Sequence, residues 1–436
     1  MGTVFFSVGM SLDGFMAPEG MDLTHVDDPN YKDWLSQWME LQKWVMEQRF
    51  FRENLKLGEG GETGQDNRIL EETFQRTGTS IMGKRMFEGG ERYWPEEAPF
   101  HTPVFVLTHE VRSPWERPGG TTFYFVTNGI ESALQQAREV AYGKDIRIAG
   151  GANAILQYLN AGLVDEFSIA LAPVFFGKGI RLFGGIVRRK VALEIVEVIH
   201  SPLVTHLHYA VIKQYQTPGG RRLARSPRRR CFSFRLNSYR GGFMGKVISE
   251  ISMSLDGFIT GPNVRVGNGM GDDGDRLHDW RFDAKTETDA AILDEIYASN
   301  GAVVIGKRMF DVGFEPWGDP PPFGMPVFIV THEAREPLPM QGGTTYTFVT
   351  DGIEAALELA RAAAGDKNVL IQGGANIIRQ YLKAGLLDEL QIHLIPILLG
   401  GGVRLFEDLD PEGIELRRAS SIETPGATHL RFSVVK

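Results

Sequence analysis

The sequence predicts an α/β fold built twice: a mixed, mostly parallel sheet with an antiparallel edge and flanking helices on both faces, duplicated in tandem. Two observations predict it. β-rich runs alternate with helical stretches and then give way to a strand-rich tail, the pattern of a parallel sheet closed by antiparallel strands. Long segments also recur: "IAGGANAILQYLNAGLVDEF" at 148–167 returns as "IQGGANIIRQYLKAGLLDEL" at 371–390. That period is too long for a solenoid, so the repeating units are whole domains.

In the first copy "TVFFSVGM" reads as a strand, 66–77 as a helix, and "TSIM" as a buried strand. "PVFVLT" and "TFYFVT" read as strands, 129–141 as a helix, "DIRIAG" as a strand and 153–161 as a helix. The tail "EFSIALAPVFF", "VALEIVEVI" and "THLHYAVIK" supplies three strands with little room for helices between them. The second copy returns "IMGKRMFE" as "VIGKRMFD", "VFVLTHE" as "VFIVTHE" and "THLHYAVIK" as "THLRFSVVK", all at one offset. Only at the front does the offset change, since "MSLDGF" at 10–15 returns at 253–258. The first copy therefore holds an insertion, placed at about 19–61, where "WLSQWMELQKWVMEQRFF" reads as an aromatic-rich helix.

The domains follow as 1–215 and 245–436, joined by 216–244. That joining stretch carries eight arginines, no acidic residue and many Gly, Pro and Ser, and reads as a basic flexible linker. The chain has 436 residues, 42% of them apolar and 23% charged, so each half is long enough to bury its own core. A net charge of −9 argues against a general nucleic-acid binder, which needs a basic surface over much of a domain. One cysteine, Cys231, permits no disulfide framework or cysteine-based zinc site. With no signal peptide at the N-terminus and no long apolar run, the expectation is a cytoplasmic protein with a small-molecule substrate and neither nucleic-acid nor membrane partners.

Several motifs could carry chemistry. Gly150-Gly151 and Gly373-Gly374 stand between a strand and a helix, where the backbone can approach a ligand closely and free N–H groups attract phosphate. The alternative is a tight turn with Asn153 and Asn376 as helix N-caps. After Gly83 and Gly306 come Lys84-Arg85 and Lys307-Arg308, paired cations at a helix start that suit a phosphate monoester, or else a solvated basic pair. Thr108 and Thr331 end a strand with a hydroxyl. Asp13 and Asp256 sit in "SLDGF", first of all a turn signal. Asp66 and Asp289 lie seventeen residues before Gly83 and Gly306, where they could face a pocket or favour a helix N-terminus. There is no Walker A, HExxH or GxSxG, and His208 becomes Arg431 in the second copy, so no metal site is expected.

In this order SLDGF, (M/I)GKRMF, VF(V/I)(L/V)TH, GGAN and GL(V/L)DE resemble the dihydrofolate reductase superfamily. The branch is that of the C-terminal reductase domain of the bacterial riboflavin-biosynthesis deaminase/reductase. The resemblance implies a dihydrofolate-reductase-like sheet and NADPH as hydride donor, with activity of the 5-amino-6-(5-phosphoribosylamino)uracil reductase type on a small heterocycle or sugar-imine. It implies that Gly150, Gly151, Ala152 and Asn153, with Gly373, Gly374, Ala375 and Asn376, form the pyrophosphate turn. Gly83, Lys84, Arg85 and Thr108, with Gly306, Lys307, Arg308 and Thr331, then form the adenosine-phosphate side. Asp13 and Asp256 match the substrate-side aspartate, and Asp66 and Asp289 the acidic residue of folate reductases, as catalytic candidates. The deaminase motif is absent. Superfamily members often dimerise, so the two copies are expected to form an intramolecular pseudo-dimer, in which one or both could be non-catalytic NADP-binding or scaffold domains.

Overall fold

A computed structural model describes residues 2–187, 191–213, 245–282, 285–409 and 413–436. The expected linker, 216–244, therefore lies wholly outside the described residues. The first copy begins with β1 (Val4–Ser11), β2 (Phe15–Pro18), α1 (Tyr31–Met46), α2 (Arg49–Asn54), α3 (Gln65–Arg76), β3 (Thr77–Gly83) and α4 (Lys84–Glu91). It continues with β4 (Val104–Leu107), β5 (Trp115–Glu116), β6 (Thr122–Val126), α5 (Ile130–Val140), β7 (Asp145–Gly150) and α6 (Ala152–Asn160). β8 (Glu166–Ala172), β9 (Gly179–Arg181), β10 (Ala192–His200) and β11 (Thr205–Ile212) complete it.

The second copy runs β12 (Val247–Ser254), α7 (Glu287–Ser299), β13 (Asn300–Gly306), α8 (Lys307–Trp317), β14 (Val327–Val330), β15 (Leu338–Pro339) and β16 (Thr345–Val349). It ends with α9 (Gly352–Ala364), β17 (Asn368–Gln372), α10 (Ala375–Lys383), β18 (Glu389–Ile395), β19 (Glu415–Glu423) and β20 (Thr428–Val435).

Each copy forms a nine-stranded sheet, in the orders β10-β11-β8-β1-β7-β3-β4-β6-β5 and β15-β16-β14-β13-β17-β12-β18-β20-β19. The central strands β8, β1, β7, β3, β4 and β6 pair in parallel, and both edges turn antiparallel, through β11 and β10 at one side and β5 at the other. The alternation along β1 explains its two faces. Val4, Phe6, Val8 and Met10 join the main apolar core with Ala133, Leu134 and Ala137 of α5 and Ile155 and Leu159 of α6. Ser7, Gly9 and Ser11 leave the other face for α1 and α3, a period-2 division of labour.

The aromatic-rich segment forms α1 and α2, separated at Gln48, whose backbone bridges to Glu62. Leu41 and Trp44 of α1 are buried with Phe15, Leu70, Ala170 and Val204 in a satellite core beside β8. Contacts also join the copies along β10 and β19, the edge strands of their sheets. Val198 N donates to Glu423 Oε2 at 3.1 Å, and reciprocally Ser421 Oγ meets His200 Nδ1 at 2.8 Å. Phe175 packs edge-on against Phe406 with ring centroids 4.9 Å apart. Among the described residues no helix is long and apolar enough to cross a membrane.

Candidate active site

The parallel pairing brings the carboxyl ends of β7, β3 and β4 side by side, Met82 opposite Gly150 and Gly83 opposite Leu107. Ligands of open α/β sheets bind at such ends. The glycine pair stands there for two separate reasons. Gly150 has φ +141°, and a Cβ on it would come within 2.7 Å of Met86 Sδ, so α4 packs over it only because it has no side chain. At Gly373 the clash with Met309 would be closer still. Gly151 and Gly374 have φ +87° and +73°, left-handed values that favour glycine. A Cβ on Gly151 would meet nothing nearer than Gly83 N at 3.9 Å, so it would project into open ground between two helix starts.

Those starts are α4, preceded by Gly83, and α6, preceded by Gly151, and neither has a side-chain cap. The expectation that Asn153 and Asn376 are N-caps is corrected. Each lies inside its helix and accepts a bond from the amide one turn on, Gln157 at 2.6 Å and Gln380 at 2.5 Å. Ala152 and Ala375 open their helices directly, which leaves the first N–H groups of α6 and α10 without side-chain partners. Among the described residues both starts lack a side-chain cap, so their N–H groups and dipoles offer what would attract an anion, and the second copy repeats the arrangement at Gly306 and Gly374.

The cation pairs divide. Lys84 is held by Glu88 at 2.9 Å and Glu110 at 3.1 Å, and Lys307 by Asp311 at 2.6 Å, so their charge is already balanced. Arg85 and Arg308 are exposed and, among the described residues, have no ion pair. Thr108 and Thr331 sit at this edge, where their hydroxyls accept from Glu110 N and Glu333 N at 3.0 Å and fix the turn after β4 and β14.

The four candidate carboxylates stand in two different surroundings. Asp13 is buried, and its oxygens take Ser11 Oγ at 2.5 Å, Phe176 N at 3.0 Å and Gly177 N at 2.7 Å. Asp256 repeats this with Ser254, Leu399 N and Gly400 N. The SLDGF carboxylate thus pins the loop after β8 or β18 to the first strand. Burial pushes the Asp13 carboxyl up, against the lowering effect of those bonds.

Asp66, in the first turn of α3, faces His206 of β11 at 2.6 Å, and Asp289, in the first turn of α7, faces His429 of β20 at 3.0 Å. These buried carboxylate–imidazole pairs lie on the sheet face opposite the main core. An aromatic ring from unrelated segments covers each: Trp44 of α1 edge-on to His206 at 5.0 Å, and Trp280 edge-on to His429 at 4.9 Å. The second copy extends its pair. His429 Nδ1 meets His393 Nδ1 at 2.7 Å, His393 Nε2 lies 2.7 Å from Glu250, and Arg281 reaches Glu250 at 2.6 Å. Burial opposes the Glu250 charge, but Arg281 and His393 outweigh it and hold the carboxylate well below its usual range. Burial also pushes the His393 imidazole down to about 4, with Glu250 acting in the other direction. Neither histidine of these pairs was among the candidates drawn from the sequence, although His206 recurs as His429. Among the described residues no group of three or more His, Cys, Asp or Glu is placed to hold a metal.

Comparison with known proteins places this geometry. The RibD C-terminal domain family matches residues 2–207 and 245–430. YwjB of Bacillus subtilis (strain 168) is 26% identical over 192 residues, 43% of this chain and 97% of that protein. YyaP of the same organism is 29% identical over 124 residues, 27% of this chain and 65% of YyaP, so the chain spans less than two thirds of that relative. Solved structures of similar fold include a pyrimidine reductase-like protein from Corynebacterium diphtheriae, 16% identical, covering 44% of this chain and 92% of that one with a TM-score of 0.31. A diaminohydroxyphosphoribosylaminopyrimidine deaminase/5-amino-6-(5-phosphoribosylamino)uracil reductase from Thermotoga maritima is 14% identical, with 48% and 57% covered and a TM-score of 0.32. Dihydrofolate reductase from Enterococcus faecalis, complexed with NADP(H), is 14% identical, with 44% and 99% covered and a TM-score of 0.30. With both copies matched along nearly their whole length, the chain belongs to the RibD C-terminal domain family and carries that domain twice in tandem.

Proposed function

We propose that this protein is an NADPH-dependent reductase of the riboflavin-pathway and dihydrofolate-reductase type, acting on a small heterocycle or sugar-imine. The observation that carries the reading is the cradle at Gly151 and Gly374, where a side chain is missing between two uncapped helix starts. The pyrophosphate of a dinucleotide fits such a cradle, and Arg85 or Arg308 is the free cation that would meet the adenosine phosphate. NADPH, when bound, supplies the hydride.

The chain's own residues have two tasks. The strand ends and the glycine turn would hold the cofactor, and the Asp66–His206 or Asp289–His429 pair would hold the proton for the substrate. Burial of each pair keeps bulk water from competing for that proton. Asp13 and Asp256 act at one remove, by anchoring the loops after β8 and β18. The reciprocal bonds between β10 and β19 support a reading of the two copies as an intramolecular pseudo-dimer, the isologous arrangement of a symmetric pair.

The test is to mix the full chain with NADPH, follow nicotinamide fluorescence on binding, and then follow oxidation across pterin, folate and ribityl- or ribosylamino-pyrimidine substrates. Binding with turnover of one class supports the reading. Binding with no oxidation across the panel favours a nucleotide-binding scaffold, and absence of binding removes both.

A further inference from the structure

The two carboxylate–imidazole pairs look alike, but their surroundings differ in three places. Trp280 Nε1 donates to Ser252 Oγ at 3.0 Å, so the indole above His429 is satisfied from within. Gly9 stands where β12 has Ser252, and Trp44 Nε1, in a side chain only 3% exposed, has no hydrogen-bond partner among the described residues. Next, the second copy fills the space beside its pair with His393 and Glu250, whereas β8 and β1 place Ala170 and Ser7 at those positions. A buried donor without an acceptor is costly, and a ligand that supplies the acceptor recovers that cost.

The third difference crosses between the copies. Arg418 of β19 inserts into the turn joining β10 to β11, donating to Val204 O at 2.6 Å, to Thr205 Oγ1 at 2.9 Å and to Ser201 O. That turn leads directly into His206. Asp66 lies within the field of Arg418, and so does His200 of β10. The equivalent position of β10 is Ile195, at the same bulge of its hairpin, so that position offers the second copy no cation.

We propose that the first copy is the substrate-accepting site of the molecule, and that it is composite. Trp44 Nε1 offers the open donor to a carbonyl oxygen or ring nitrogen of a small planar heterocycle. Arg418, contributed by the second copy, is a positioning residue that holds the His206 turn and biases the charge of the Asp66–His206 pair. The second copy's pair is packed instead against its own His393 and Glu250. This assignment rests on reading the pairs as substrate-side groups, but its test uses no turnover, so its failure is distinct from failure of the reductase reading.

The groups facing the pair are Arg418 from β19, His200 from β10 and the neutral indole of Trp44 from α1. The experiment is histidine-selective carbon-13 NMR on the full chain, with His206 and His429 assigned by H206N and H429N, and 5,6-diaminouracil as the probe. The probe is expected to move His206 and leave His429 in place. W44F, which removes the open indole donor itself, is expected to weaken that binding about tenfold, the equivalent of about 1.4 kcal/mol. R418Q, which loses most of the bonds to the turn before His206, is expected to displace the His206 signal and weaken its response to the probe, and R418K to restore part of both. The proposal is overturned if the probe moves His429 instead or moves neither histidine. It is overturned equally if W44F leaves binding unchanged, or if R418Q leaves the His206 signal and its response to the probe unmoved while the His429 signal reports a folded chain.

Discussion

Asp66 and His206 stand 140 residues apart in the chain and 2.6 Å apart in the fold, and Asp289 and His429 repeat the contact across the same separation. A buried carboxylate bonded to an imidazole can hold a proton in either of two places, which is what protonation of a hydride acceptor requires. With the first copy as the working site, D66N should lower turnover by about 10²–10⁴ fold. D289N should leave most of it. Single-turnover rates of NADPH oxidation for the two variants check this, and equal losses would assign catalysis to both copies.

Asp13 answers differently, because its carboxylate binds backbone. D13A should cost about 1.5–3 kcal/mol of stability, as charge-assisted bonds to Phe176 N and Gly177 N are lost. Urea unfolding measures it. NADPH affinity should change little, since the cradle lies on other strands.

Acid should act on Asp13 and Asp289 with opposite signs. Burial raises Asp289, but the bonds from His429 and Thr286 outweigh it, so its folded pKa lies below the ordinary 3.8. Its contribution is therefore present above 3.8 and is lost as pH falls through the folded value. For Asp13 burial wins, the folded pKa lies above 3.8, and the contribution is present below 3.8 and lost as pH rises through the folded value. In unfolding series between about pH 3 and 7, the advantage of the natural chain over D289N should shrink on acidification, while its advantage over D13N should grow.

Selectivity for NADPH over NADH should reside in the arginines. R85A is expected to weaken NADPH binding at the first copy about tenfold, the equivalent of about 1.4 kcal/mol, and to leave NADH binding unchanged. K84A should have a smaller effect, since Glu88 and Glu110 already balance that charge. Dissociation constants from fluorescence titration compare the two. An equal effect from K84A would return the lysine to the site.

The strands and helices of each copy were legible because apolar residues recur at the spacing of each element: Val4, Phe6, Val8 and Met10 mark one face of β1, and Ile155 and Leu159 the buried face of α6. The glycine turns were legible because side-chain-free residues between a strand and a helix have few other uses. Asp66 could be singled out, but not its partner. His206 is far away in the chain, and the available clue was that both copies keep an Asp and a His at one constant spacing. The covering tryptophans escaped because Trp44 and Trp280 come from segments that do not align between copies. Lys84 reads as a free cation until the loop after β4 brings Glu110 to it. Arg418 escaped for the opposite reason to the glycines, since its counterpart is Ile195 and a comparison of repeats hides what only one of them has.

Calorimetry of NADPH binding to the full chain and to a G151A/G374A double variant tests the central claim most directly. The added Cβ of Gly151 meets nothing closer than 3.9 Å, so it fills the cradle without displacing a neighbour. At these positive φ values the substitution should cost about 1–2 kcal/mol of stability per site, which leaves a folded chain to measure. The account predicts binding to the natural chain and a loss of about a hundredfold or more in the double variant, the equivalent of about 2.7 kcal/mol. Undiminished binding in the folded double variant would contradict it, as would a natural chain that takes up no NADPH.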